Sequence, residues 1–169
     1  FVMVIDGGSS EAEEYADRAS GRLTLAEYLT AAGVDHIDCR VATHIHDDHI
    51  CGLLPAAERW RPAALWPTLP PAFYREALHL LDTSPAKTAS QSKFLRALND
   101  YQRLCGLVEA GGGAIRRFSA GDSGVLCSGL RYQVLAPGVE RAGALERGCR
   151  ELFAEREPRT FLEKLSALD

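Results

Sequence analysis

Residues 43–53 read THIHDDHICGL, and this stretch holds more than half of the imidazole side chains of the chain. Three histidines and two aspartates lie within residues 44–49, although the whole chain has only five His. Neutral imidazole and carboxylate oxygen are ligands that zinc and similar divalent cations prefer in proteins. The composition of this stretch therefore predicts a metal site rather than an ordinary polar loop.

The spacing of these side chains predicts how they are arranged. His44 and His46 are two residues apart, and such residues point the same way in an extended segment, so both rings can meet one ion. Asp48 and His49 cannot share that face in a regular strand, so the chain must turn there. The turn would aim a second pair of ligands at a neighbouring point. Two ions about 3.5–4 Å apart can hold a bridging hydroxide and clamp the attacking and leaving oxygens of a hydrolysis.

The residues before the motif predict a strand, a helix and a second strand. FVMVI (1–5) is a short apolar run that ends at DGGSS, which is typical of a buried strand and a turn. Thr24 and Glu27 form a capping box at the start of a helical pattern that Gly33 ends. HIDCRVAT (36–43) carries Ile37, Cys39 and Val41 in alternation, which predicts a strand, and it leads directly into the motif.

The residues after the motif predict further helices and strands. The clearest helix is SQSKFLRALNDYQRLCGLVEAGGG (90–113), where apolar residues recur at helical spacing and glycines end the pattern. AIRRFSAGD (114–122) and LRYQVLAPG (130–138) are interpreted as strands joined by a Gly-containing turn. The other predictions are a short helix or turn in GLLPAAERW (52–60), a strand in AALWP (63–67), a helix in PPAFYREALHLLD (70–82) and helices after residue 139. The order of elements indicates a layered α/β chain.

The charge and composition of the chain restrict the classes of function. A formal net charge of −4 and a pI of about 5.8 give no general attraction to nucleic acid or to an anionic membrane. No apolar run is long enough to span a bilayer. The five cysteines are odd in number and form no CxxC pair, which favours a reducing compartment, and we predict the cytoplasm.

THIHDDHICGL resembles the HxHxDH signature of the metallo-β-lactamase-fold hydrolases, including the Thr before it and the Gly-Leu after it. VMVIDGGSS resembles the family's early strand that ends in Asp-Gly. The helix followed by GVDHIDCRVATHIHDDH, and the later LRYQVLAPG, resemble the ComEC-like branch. The resemblance covers most of residues 1–138 and implies an αββα sandwich, which we expect as a single, partial domain over residues 1–169.

The resemblance also implies the roles of individual residues. His44 and His46 would bind the first of two divalent metal ions. Asp48 and His49 would bind the second, and Asp48 would also orient the attacking water or hydroxide. The expected metal is zinc, with manganese as the alternative. Asp47 occupies the variable position of the signature, and Asp6 would lie near the site in a supporting role.

The chain departs from the family pattern in its remaining ligands. The family completes its two sites with a third histidine, a bridging aspartate and a last histidine. Only His36 and His79 remain here, and neither has a convincing position. Gly121-Asp122 has the dipeptide of the bridging step, but its surroundings indicate a turn. The sequence also lacks an initiating Met and the family's second half, which is why a partial domain is expected.

Three functions are open from the sequence. The leading one is a metal-dependent hydrolase that uses a metal-bound hydroxide on a phosphodiester-type substrate, in a small molecule or a nucleic acid. Arg116, Arg117 and Arg131 could form a basic strip for such a substrate, although solvated arginines are the commoner case. The alternative is a degenerate, non-catalytic domain that binds metal or serves as a scaffold. The third is oxidoreductase chemistry at a di-iron site, which the same superfamily supports.

Overall fold

The computed structural model describes residues 1–61, 63–69 and 81–168, without the side chain of Arg18. Most of the helix predicted over residues 70–82 therefore lies outside the described residues, and so does His79. The described elements begin with a strand, two short 3-10 helices and a helix, alternate strands with helices as far as residue 110, and end with three strands and two helices. This order confirms the predicted α/β class.

Four parallel strands form the main sheet in the order β1-β2-β3-β4. Their bounds are Met3–Ile5 for β1, Cys39–Ala42 for β2, Ala64–Pro67 for β3 and Ala114–Ile115 for β4. Parallel neighbours need a crossover connection between them, and the intervening segments provide it with helices. Because neighbouring strands run in the same direction, the residues that follow β1 and β2 meet at one edge of the sheet.

Helices lie between the strands. The 3-10 helices Ala12–Tyr15 and Arg18–Ser20 precede α1, which spans Leu25–Ala31, and the predicted capping box of Thr24 and Glu27 is present. The motif is followed by two short helices, α2 (Asp47–Ile50) and α3 (Leu53–Arg59). The long helix α4 (Ala89–Ala110) buries Phe94, Leu98, Tyr101, Cys105 and Val108 on the face that its periodicity predicts.

The chain after β4 corrects one sequence prediction. Residues 114–122 were expected to form a strand joined by a turn to the next one, but the strand is only Ala114–Ile115, and it pairs with β3. The strand that precedes LRYQ is instead β5 (Ser123–Cys127), which pairs antiparallel with β6 (Leu130–Gln133). Residues 123–127 had been interpreted as part of a turn, because glycine and serine begin them. The helices α5 (Val139–Ala154) and α6 (Pro158–Leu168) follow.

The core lies between the main sheet and the helices α3 and α4. Val4, Ala42 and Leu65 of the sheet belong to the same buried cluster as residues of both helices. The central strand β2 is buried on both faces, with Cys39, Arg40 and Ala42 each at most 2% exposed. Parallel strands are usually covered on both sides, and β2 follows this rule. None of the described helices is both long and apolar enough to cross a membrane.

Candidate metal centre

The motif lies at the carboxyl edge of the main sheet, next to Asp6. Asp6 directly follows β1, and Thr43 directly follows β2, its parallel neighbour. The Asp6 N–H donates to the Val41 carbonyl at 2.9 Å, which continues the ladder one step beyond the strand. The sheet therefore brings together two segments that are separated by about one quarter of the chain.

The Asp6 carboxylate connects these segments through three contacts. Its Oδ1 accepts from the Thr43 N–H at 2.9 Å, and its Oδ2 accepts from the Thr43 hydroxyl at 2.6 Å. The same Oδ2 lies 2.7 Å from His49 Nδ1. Asp6 has a φ of 56°, a left-handed conformation that Asp and Asn tolerate better than most residues. The supporting position expected for Asp6 is therefore next to His49.

Two glycines let the loop after β1 approach the segment after the motif. The Gly7 N–H donates to the His49 carbonyl at 2.8 Å, and the Gly52 N–H donates to the Gly8 carbonyl at 2.9 Å. A Cβ atom on Gly52 would lie 1.9 Å from the Gly7 oxygen, and one on Gly7 would lie 2.2 Å from the Leu53 nitrogen. Only glycine fits at both positions, because the obstacles are backbone atoms.

Three side chains of the motif come together beside Asp6. One ligand atom each from His44, Asp48 and His49 lies within 4.8 Å of the other two. The rings of His44 and His49 are 3.6 Å apart between centroids, and His49 Nε2 is 3.6 Å from Asp48 Oδ2. Within residues 1–61, 63–69 and 81–168, no other group of His, Cys, Asp or Glu side chains has this arrangement.

The hydrogen bond to Asp6 prepares His49 for a cation. Because a carboxylate can only accept, the His49 nitrogen that faces it carries the proton, and Nε2 of the neutral ring is left with its lone pair. Burial first, and then the charges of His49 and His46, lower the pKa of His44 below its ordinary value. His44 is therefore neutral at neutral pH, with a lone pair available.

This donor set fits a divalent cation. Two neutral imidazole nitrogens and one carboxylate oxygen are ligands that zinc and manganese accept. His49 has a carboxylate behind it, as histidines that bind metals usually have. The exposed side of the group is Asp48, whose side chain is 66% exposed and faces solvent beside His49. The residues present could thus hold one ion with an open side for a ligand.

His46 is not part of this three-residue group, but its ring contacts the ring of His44. Its ring centroid is 5.0 Å from that of His44, with the two rings nearly perpendicular, and 5.7 Å from that of Phe94. The sequence predicted that the rings of His44 and His46 would lie near each other, and α2, which begins directly after His46, brings His49 beside His44 as well. The assignment of His46 to a metal ion remains a prediction.

A groove runs beside the three-residue group, between the motif and α4. It is lined by His46, Asp47 and Asp48, by Ser90, Lys93 and Phe94 of α4, and by Glu14. Lys93 Nζ lies 3.5 Å from Asp47 Oδ2. Sequence reasoning did not identify Lys93, because nothing in the pattern of α4 distinguishes it from a solvated lysine. Phe94 was expected only as a core residue.

The other candidates named from the sequence lie elsewhere. His36 is at the amino end of β2 and contacts Asp35 and Asp38, as its position in the sequence predicted. The Asp122 carboxylate accepts from the Ser119 N–H at 3.0 Å and closes a turn.

The three arginines that could have formed a basic strip make different contacts. Arg116 lies over the ring of Trp66, with its guanidinium carbon 5.8 Å from the ring centroid. Arg117 pairs with Glu146 at 3.4 Å, and Arg131 is exposed on β6. Two of the three side chains are therefore engaged within the fold.

Comparison with known families identifies the fold to which this site belongs. The family model described as Metallo-beta-lactamase superfamily matches residues 1–122, which include the main sheet, the motif and α4. Searches of curated proteins and of solved structures give no significant match. The matched segment is well over half of the chain and contains every residue of the three-residue group. The chain therefore belongs to the metallo-beta-lactamase superfamily.

Proposed function

We propose that the protein is a metal-dependent hydrolase that acts on a phosphodiester-type bond. The observation that carries the proposal is the group of His44, Asp48 and His49, with Asp6 bound to the far nitrogen of His49. Many members of the superfamily are metal-dependent hydrolases, and some are not catalytic. The preference for a phosphodiester follows from the resemblance to the ComEC-like branch, which is the narrower part of the proposal.

Each residue has a proposed role in the site. His44, Asp48 and His49 would hold a divalent cation, and His46 would join His44 if a second ion is present. A divalent cation in such a site makes water more acidic and polarises the oxygen of the bond to be cleaved. Asp48 would accept a hydrogen bond from the attacking water and so orient it. Asp6 would keep the His49 ring fixed and its Nε2 unprotonated.

Metal analysis and hydrolysis assays test the proposal together. We expect protein purified without added metal or chelator to contain zinc or manganese, with two ions per chain as the predicted number. A count near one would mean that only the three-residue group binds tightly. Activity on bis(4-nitrophenyl) phosphate should fall about 100-fold or more in H44A and H49A, since each removes a ligand. Elemental mass spectrometry and initial rates are the measurements.

His36 provides the matched control for these variants. It is an exposed histidine at the opposite end of β2, so H36A removes an imidazole without touching the group. H36A should keep both its metal content and its activity. If H44A retained metal and hydrolysis at the level of H36A, the proposed function would be wrong.

One observation favours the second candidate, a non-catalytic metal-binding or scaffold domain. Among the described residues only three ligand-bearing side chains come within 4.8 Å of one another, which is fewer than two metal sites need. Measurement of turnover distinguishes the hydrolase from the non-catalytic domain. Protein that holds metal through His44 and His49 but hydrolyses no phosphodiester, thioester or lactam would be assigned to this class.

The compartment is also a proposal. All five cysteines are free, and four of them are buried. Unpaired thiols are the usual state in a reducing compartment, which supports the cytoplasm. Fractionation of cells that express the protein, with thiol labelling before and after reduction, tests this directly.

A further inference from the structure

The groove between the motif and α4 has one ammonium group beside the candidate centre. Lys93 lies in the second turn of α4, and its side chain is 40% exposed. Its Nζ is 3.5 Å from Asp47 Oδ2, and Asp47 stands between His46 and Asp48 in the sequence. Lys93 therefore projects from a different element into the space that the motif borders.

The position of Lys93 is fixed by its neighbour on the helix. Phe94 is 2% exposed, belongs to the core cluster and contacts the ring of His46. The turn of α4 that carries Lys93 is thus held against the motif. The Asp47 side chain is only 17% exposed, so the carboxylate that faces Lys93 is also held in place.

The ammonium group retains hydrogen-bonding capacity towards the groove. A lysine has three N–H donors, and a single carboxylate contact at 3.5 Å satisfies at most one of them. The exposed part of the side chain faces the groove that Asp48 and His46 also line. An anionic oxygen bound there would lie beside the three-residue group.

The charges of the groove indicate which ligands this contact would favour. Glu14, Asp47 and Asp48 place three carboxylates around it, and these would repel an anion. Lys93 is the one positive side chain on its described lining, and it pairs with one of these carboxylates. A neutral oxygen can accept a hydrogen bond from the ammonium group, but a negatively charged oxygen also gains the attraction between opposite charges, so the contact favours anionic substrates.

We propose that Lys93 binds a negatively charged oxygen group of the substrate, next to the bond that is cleaved, and so selects anionic over neutral substrates. This inference rests on the proposed hydrolase function and adds a substrate class to it. Lys93 is a binding residue here, because it would contact the substrate. Asp47 holds the lysine side chain over the groove.

The test compares an anionic and a neutral substrate on the zinc-loaded full chain. The variants are K93Q, which removes the charge, and K93R, which keeps it. With bis(4-nitrophenyl) phosphate, K93Q should raise KM about tenfold and leave kcat within about twofold, since a hydrogen bond to a charged group is lost. With neutral 4-nitrophenyl acetate, K93Q should match the unmodified protein. K93R should retain most of the affinity for the phosphodiester.

Lys87 offers a matched control. It is exposed and lies just before α4, and it lines a different surface depression from Lys93. K87Q makes the same change in net charge and should leave both substrates unaffected. If K93Q lost activity equally on the anionic and the neutral substrate, Lys93 would only support α2 through Asp47. That result would overturn the inference.

A binding measurement separates this inference from the hydrolase function. Titration calorimetry with inorganic phosphate on the zinc-loaded protein should show affinity about tenfold weaker in K93Q than in K87Q. If no variant hydrolyses either ester but phosphate binding depends on Lys93, the hydrolase proposal fails and the inference stands. If phosphate binds K93Q and K87Q equally, or does not bind the unmodified protein, the inference fails whether or not the protein is an enzyme.

Discussion

The Asp6 carboxylate receives hydrogen bonds from two groups of Thr43 and lies against His49, all of which are far from it in the sequence. Each contact fixes a different feature. The Thr43 contacts hold the start of the motif at the end of β1, and the contact with His49 decides which ring nitrogen carries the proton. A left-handed φ at Asp6 aims the carboxylate at this point.

We expect D6N to weaken metal binding without unfolding the protein. Asn tolerates a left-handed φ, so the backbone of this turn is kept. The amide nitrogen of Asn cannot accept the His49 N–H, so the ring loses the partner that keeps its proton on Nδ1. Removing such a partner typically costs about 10–100-fold in metal affinity. Chelator competition measures the zinc affinity, and circular dichroism checks the fold.

Asp35 supplies the control for D6N. It is an exposed carboxylate that also contacts a histidine, His36, but it lies at the opposite end of β2. D35N should bind zinc as the unmodified protein does. Equal zinc affinities for D6N and D35N would show that the Asp6 contact does not prepare His49.

How far single residues could be predicted depends on their distance along the chain. His44, Asp48 and His49 lie within six positions, so their spacing in the sequence identified them as a group. Lys93 is more than 40 residues further on, and only the packing of α4 against α2 places it beside them. Such a contact leaves no periodicity or spacing in the sequence. The close approach of His49 to His44 depends on the observed turn at α2.

At the scale of elements, the sequence predicted structure correctly where the stabilising contacts lie within one element. The capping box of α1 and the apolar face of α4 are contacts within one helix, and both were predicted correctly. The strand β5 was missed, because glycine and serine begin it and its pairing with β6 has an irregular register. The burial of β2 on both faces comes from other elements, so its own sequence carries no local signal for it.

The loop after β1 and the segment that joins α2 to α3 approach each other closely, and this approach requires glycine. We therefore expect G52A to destabilise the protein strongly. The added Cβ would meet the Gly7 oxygen at 1.9 Å, and backbone atoms cannot move aside as a flexible side chain could. A loss of about 3 kcal/mol or more in the free energy of unfolding is expected. Urea unfolding followed by circular dichroism is the measurement. Metal content should fall with stability, because the His49 carbonyl accepts a hydrogen bond from Gly7 at this close approach.

Gly106 within α4 gives the opposite expectation. A Cβ there has no neighbouring atom within 4 Å, and alanine favours a helix more than glycine does. G106A should therefore raise the free energy of unfolding by about 0.5–1 kcal/mol. A G52A protein as stable as G106A would show that the two loops do not approach as closely as the structure has them.

At the scale of the whole molecule, the fold is built around a sheet whose central strand contains a buried charge. Arg40 is 0% exposed, and its strand neighbours Val4 and Leu65 belong to the apolar core. None of its three side-chain nitrogens has a hydrogen-bond partner among the described residues. Burial lowers the pKa of its guanidinium to about 10, so the group is still charged at neutral pH. An unpaired buried charge costs the folded state free energy.

We therefore expect R40M to stabilise the whole molecule. Methionine fills a similar elongated space with apolar atoms and removes the need to desolvate a cation. Replacing buried charged groups by apolar ones of similar volume often raises stability by about 1–4 kcal/mol. The free energy of unfolding should rise in R40M and stay within about 0.5 kcal/mol in R141M, because Arg141 is exposed on α5. Urea unfolding of both variants, followed by tryptophan fluorescence, measures the difference. A less stable R40M would contradict this account of Arg40 as an uncompensated buried charge.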